Sequence, residues 1–118
     1  MAVRAGYVRG VVITVDLPRL DAAGGWKERP VLIISTEDFH RTRPDDLLVA
    51  LVTHRVWKYH GPTDYMLQDW QAAGLTQLSV VRSSLYLLLR SDVKGVRGAL
   101  SPQDLQGVER CLRRALGL

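Results

Sequence analysis

The sequence predicts an α+β protein, mainly β, in which an antiparallel sheet or barrel is followed by one C-terminal helix. Three observations lead there: five or more short aliphatic or alternating segments follow one another, no βαβ alternation interrupts them, and the last segment carries a cap and helical periodicity. A chain of 118 residues has room for one domain, here residues 1–118, and no linker-like stretch divides it.

The elements can be justified in order. After Gly10, the run Val11-Val12-Ile13-Thr14-Val15-Asp16-Leu17 places apolar residues at odd positions with Thr14 and Asp16 between them, the period of a half-buried strand that Pro18 ends. Residues 18–28, with Pro18, Asp21 and Gly24-Gly25, read as a mobile connection. Arg29-Pro30 then opens Val31-Leu32-Ile33-Ile34-Ser35, whose consecutive aliphatics imply a strand buried on both faces. Thr36 to Asp46 has room for a helical turn, and Leu47 to Thr53 is another aliphatic strand.

His54 to Thr63 reads as a loop closed by Gly61-Pro62, Asp64 to Leu67 as a short strand and Asp69 to Gly74 as a turn. Leu78 to Leu89 holds one or two strands with a bend near Ser83-Ser84, and Val96 to Leu100 a last extended piece. Ser101 is placed to cap a helix, Pro102 suits its first turn, and Asp104 complements the positive end of its dipole. The helix runs to Leu116, with Leu105, Val108, Leu112 and Leu116 on the face that packs against the sheet.

Sixteen Lys and Arg against twelve Asp and Glu give a net charge of +4, a moderate positive field that suits an anionic partner without requiring one. The lone Cys111 excludes an intrachain disulfide and a Cys-rich metal site, which fits a reducing cytoplasm. No apolar run is long enough to span a membrane, and the first residues lack the apolar core of a signal peptide, so neither membrane insertion nor export is expected. His40, His54 and His60 lack the clustered spacing of a zinc site; no metal or other cofactor is expected.

Several phrases, taken in order, resemble the MazF/PemK family of type II toxins. They are Glu28-Arg29-Pro30-Val31-Leu32-Ile33-Ile34-Ser35, Leu51-Val52-Thr53, Pro62-Thr63-Asp64, Gly74-Leu75, Ser79-Val80-Val81-Arg82 and Gly98-Ala99-Leu100-Ser101-Pro102. Each phrase is weak alone, but their joint order over residues 9–117 is specific. The resemblance implies an SH3-like barrel of the MazF/PemK/CcdB kind, a homodimer, and an acidic antitoxin partner. It also implies metal-independent cleavage of single-stranded RNA, such as mRNA, by attack of the ribose 2′-hydroxyl. Such cleavage leaves 2′,3′-cyclic phosphate and 5′-hydroxyl ends and arrests translation and growth.

On that resemblance Arg29, Thr53, Arg82 and Ser84 are the catalytic candidates. Negative charge gathers on the phosphate as the 2′-oxygen attacks, and the planar, permanently charged fork of Arg29 suits that charge. Alone, Arg29 reads sooner as the partner of Glu28 in a surface ion pair; the motif reverses that preference. Thr53, at a strand end, can donate its hydroxyl to a phosphate oxygen, or be merely a β-favouring residue. In an extended chain Arg82 and Ser84 would project to one face.

Two positions depart from the family. Ser84 stands where many members have the Asp of an Arg-Cys-Asp triplet, and Val11 where the family usually has Asp. The alternative these departures feed is a weakened or inactive member that binds RNA or protein. His54 and His60 are candidate substitutes for the missing acid or base. Against His54, a continuing strand would turn it away from Thr53. Both also read as solvated loop histidines. Arg55, Trp57, Lys58 and Tyr59 interleave cations with rings, which suits stacking on unpaired RNA bases and equally suits a loop whose aromatics cover the core or a dimer surface; Arg19 and Lys27 in the glycine-containing connection are candidates for further phosphate contacts.

Overall fold

The computed structural model describes residues 6–19 and 21–118. Six strands, β1 (Val11–Pro18), β2 (Trp26–Ile33), β3 (Asp46–Thr53), β4 (Tyr65–Met66), β5 (Val80–Leu89) and β6 (Gly95–Ala99), form one antiparallel sheet in the order β4-β5-β3-β2-β1-β6. The sheet curls into a half-barrel. A short helix α1 (Glu37–Thr42) joins β2 to β3, and helix α2 (Pro102–Leu116) ends the chain.

Aliphatic runs without alternation are explained by apolar layers on both faces of the sheet. Val12 pairs with Leu32 and Ile13 with Val31, so neighbouring residues of each strand enter opposite layers. One layer gathers Val12, Leu32, Ala50, Val52 and Val81 with Val108 and Leu112 of α2; the other gathers Ile13, Val15, Val31, Ile33, Leu47 and Val49. Val11 is buried in the second layer, a packing role for the position where the family usually has Asp.

The cap of α2 forms as the sequence predicts: Ser101 Oγ accepts from the Asp104 backbone N–H, and Gly117, at φ 73°, closes the helix in the left-handed region. The apolar stripe stops short of its expected end, because Leu116 is 55% exposed beyond the edge of the sheet. Asp104 does more than complement the dipole. Its buried carboxylate accepts from Tyr65 Oη at 2.9 Å and from the backbone N–H groups of Gln68 at 3.1 Å and Asp69 at 2.8 Å, tying β4 and the following turn to the helix.

Two of the expected segments differ. The connection after β1 is shorter than 18–28, because Trp26, Lys27 and Glu28 already pair with Pro18, Leu17 and Asp16; Lys27 is therefore on a strand. Gly24 and Gly25, at φ 63° and 74°, take the left-handed backbone just before β2 that turns the chain back into this pairing. The expected bend near Ser83-Ser84 is a register shift within one continuous strand: Val81 lies opposite Val52 and Leu85 opposite Ala50, so three residues of β5 face Leu51 alone.

Candidate active site

β2 and β3 stop pairing at Val31 opposite Leu51. Continuing that register would set Arg29 opposite Thr53 and Pro30 opposite Val52, but Pro30 has no N–H with which to extend the ladder. The space beyond the last rung holds two cavities. A larger one of about 480 Å³ is lined by Arg29, Thr53, Arg55, Lys58, Tyr59, Arg82 and Tyr86, with Asp21 at its wall. A smaller one of about 140 Å³ is lined by Lys27, Glu28, Arg29, Thr53, His54, Thr76, Gln77 and Arg97. Arg29 and Thr53 line both.

Charge is distributed unevenly around the larger cavity. Glu28 is drawn to Lys94 Nζ at 3.3 Å, where Asp16 also lies, at 3.1 Å. The two carboxylates push the Lys94 amine above its ordinary value, Asp16 first. Glu28 is thereby removed as a partner for Arg29, and among the described residues the Arg29 guanidinium has no ion pair. Asp21 is held by Arg19 at 2.8 Å, and that hydrogen bond keeps its carboxyl below the usual carboxylate range. Arg29, Arg55, Lys58 and Arg82 thus face the cavity with no unpaired carboxylate on its wall among the described residues.

Thr53 ends β3, and the chain turns at once. Its Oγ1 accepts from the Arg55 backbone N–H at 3.1 Å, and the Val56 N–H reaches the His54 carbonyl at 2.9 Å. With one lone pair so engaged, the Thr53 hydroxyl keeps its proton free to donate. The same turn lets His54 line the smaller cavity together with Thr53, because strand alternation no longer applies.

The loop after the turn is anchored to β5. Ser83 Oγ donates to the Thr63 carbonyl at 2.7 Å, and the Arg82 guanidinium lies 3.8 Å from the centroid of the Tyr59 ring, with Lys58 Nζ at 5.4 Å from the same ring. Ser83 was not singled out in the sequence; only its place at the register shift distinguishes it.

The structure gathers most of the predicted site residues but not all. Arg29, Thr53, Arg55, Lys58, Tyr59 and Arg82 meet at the larger cavity, and Lys27 and His54 join Arg29 and Thr53 at the smaller one. Ser84 lines neither cavity: the shift in β5 breaks the alternation that would have put it beside Arg82. Trp57 is exposed outside both cavities, as is His60, and Arg19 reaches the site only through Asp21. Gln77, Thr76, Arg97 and Tyr86 are additions. They come from segments distant in sequence and carry no local motif.

The turn bearing Thr76 and Gln77 is held against β6 by backbone contact. A Cβ on Gly74, which sits at φ 76°, would overlap the Arg97 carbonyl, and one on Gly98 would lie 2.6 Å from the Ala72 carbonyl oxygen. Only glycine permits either approach.

Comparison with solved structures gives the same fold. A mycobacterial endoribonuclease in complex with its cognate antitoxin superposes with a TM-score of 0.73 at 21% identity, covering 94% of this chain and 95% of that one. The Mycobacterium tuberculosis toxin MazF-mt6 gives 0.69 at 25% identity, with 93% and 98% covered. MazF in the MazE-MazF structure from Deinococcus radiodurans gives 0.68 at 21%, with 94% and 96% covered. A comparison of the sequence with curated proteins found no match. The model of the PemK-like, MazF-like toxins of type II toxin-antitoxin systems matches residues 8–116, and the chain belongs to that family.

Proposed function

We propose that this chain is a metal-independent endoribonuclease toxin that cuts single-stranded RNA at a phosphate held between Arg29 and Thr53. The observation that carries this reading is the meeting of Arg29, Thr53 and Arg82 at one cation-rich cavity. The 2′-hydroxyl attacks the adjacent phosphorus, the bond to the 5′-oxygen breaks, and the ends left are a 2′,3′-cyclic phosphate and a 5′-hydroxyl. Charge that grows on the non-bridging oxygens is met by the Arg29 fork and the Thr53 hydroxyl, which stabilise the transition state more than the ground state. Arg82, whose guanidinium lies 3.8 Å from the centroid of the Tyr59 ring, would donate to the phosphate or the leaving oxygen. A fixed guanidinium supplies the positive charge, so the reaction needs no metal.

Partners follow from the same surface. Arg55, Lys58 and Tyr59 hold unpaired nucleotides by charge and stacking. An antitoxin with an acidic, extended tail would neutralise the same cations and close the cavity. A second copy of the chain covers the far half of β5, where Leu85, Leu87 and Leu89 are exposed and β4 pairs only with Val80 and Val81. The place of action is the cytoplasm, where mRNA is translated.

Ser84 favours a second reading, a family member that has kept RNA binding and lost cleavage, since no carboxylate replaces the family's Asp at that position. Incubation of the purified protein with long single-stranded RNA in EDTA separates the two. Cyclic-phosphate ends that vanish in Arg29→Ala support the nuclease, whereas RNA that is bound but left intact over a wide range of sequences overturns it.

A further inference from the structure

Arg29 and Thr53 line both cavities, while Arg82 lines only the larger and His54 only the smaller. A phosphate seated on the shared pair therefore has Arg82 on one side and His54 on the other. Attack of a 2′-oxygen in line with departure of the 5′-oxygen requires just such a division, with a proton acceptor on one side and a donor to the leaving oxygen on the other.

The carboxylates that line the two cavities are already engaged. Asp21 is held by Arg19 at 2.8 Å, Glu28 lies 3.3 Å from Lys94, and Tyr59 lies beneath Arg82. Ser84 lines neither cavity. His54 has no ion pair or side-chain hydrogen bond among the described residues, is exposed, and lines the smaller cavity just after the turn that follows Thr53. The charged groups facing it are Lys27, Glu28 and Arg29 of β2 and Arg97 of β6, with Arg55 adjacent in the chain. Their net positive balance suits a phosphodiester.

We infer that His54 is the proton acceptor for the attacking 2′-hydroxyl, in place of the carboxylate that Ser84 does not provide; the inference rests on the ribonuclease reading above. The imidazole takes the 2′-proton as the O2′–P bond forms and the P–O5′ bond breaks. The leaving 5′-oxygen, hydrogen-bonded by Arg82, takes a proton from water, and the imidazolium returns its proton to the hydroxide produced. No proton or electron is gained or lost overall.

The test is single-turnover cleavage of a mixed-sequence RNA pool in EDTA from pH 4.5 to 9 by the wild type, His54→Ala and His54→Gln. The wild-type rate is expected to fall on the acid side within about pH 5 to 8, where imidazoles titrate. Both variants are expected to cut about 100-fold or more slowly at neutral pH, with RNA affinity nearly unchanged and that acid limb absent. Added imidazole should restore part of the rate to His54→Ala only. Variants that cut within about threefold of the wild type, or more slowly with the acid limb intact and no rescue by imidazole, overturn the assignment while leaving the nuclease in place. A wild type that cuts nothing overturns both.

Discussion

The guanidinium of Arg82 lies 3.8 Å from the centroid of the Tyr59 ring, which joins β5 to the loop that follows β3. Both residues line the larger cavity, so the contact holds a cation at its wall. Replacing Tyr59 with Leu should lower kcat/KM for RNA roughly tenfold, the scale of one lost cation–π contact. Tyr59→Phe should stay near the wild type, because the ring carries the contact. Steady-state cleavage of a short oligoribonucleotide distinguishes the two.

Arg29 should tolerate no substitute. Arg29→Ala is expected to lose about 100-fold to 1000-fold in single-turnover rate, as removal of one preorganised donor does elsewhere. Arg29→Lys should recover little, since a point charge cannot replace a fork. For Thr53 the comparison is between Ser and Val: Thr53→Ser should retain most of the activity and Thr53→Val little, with RNA binding similar in both. Equal rates for the two would remove the hydroxyl from the mechanism.

On the proposed reading, Arg55 and Lys58 should act on binding more than on chemistry. Removing both should weaken single-stranded RNA binding and flatten its salt dependence, by a slope of roughly 1.4 in log K against log salt if each contacts one phosphate. Titration at several salt concentrations reads the slope directly.

Stability should depend on the joint between β4 and α2. A Cβ on Gly107 would fall inside the Tyr65 ring, so Gly107→Ala should destabilise the fold by roughly 1–3 kcal/mol in urea unfolding. The Tyr65 hydroxyl, desolvated and bonded to Asp104, has its pKa pushed up to about 12. Because the folded value is raised, its stabilising contribution is fully present below the ordinary phenol value near 10 and is lost as pH rises through about 12. Tyr65→Phe should be less stable at neutral pH and should lose less on going to alkaline pH than the wild type.

The exposed apolar residues of β5 bear on assembly. Leu87 and Leu89 are 59% and 52% exposed, and replacing both with Lys should convert a dimer to a monomer in sedimentation with the circular dichroism unchanged. A wild type that sediments as a monomer at micromolar concentration removes the second copy from the proposal.

The order of most strands and the capped helix are legible in the sequence, because each depends on local period or cap chemistry, and short phrases pick out Arg29 and Thr53 as candidates, whereas their meeting at one cavity depends on strand pairing. The aliphatic signal of the second strand begins only after Arg29-Pro30, so the sequence leaves Lys27 in the connection, whereas pairing with Leu17 extends β2 back to Trp26. Ser84 was grouped with Arg82 on the assumption of regular alternation, and the register shift opposite Leu51 is a property of two strands together. His54 was judged by the same alternation, which ends one residue before it. The burial of Asp104 depends on Tyr65 and a turn more than thirty residues away, beyond what a helix-cap pattern reports.

The two glycine contacts between the Gly74 turn and β6 have a wider meaning. With Gly74 against Arg97 and Gly98 against Ala72, the backbone behind the smaller cavity is closely packed, yet Thr76 and Gln77, which stand on it, are exposed. Exchanging those two side chains alters the shape and hydrogen-bonding pattern presented to a neighbouring base while leaving the core and the Arg29-Thr53 pair as they are. If RNA binds as proposed, substitution at Thr76 and Gln77 should change which sequences are preferred while the glycine-packed frame behind them is left as it is.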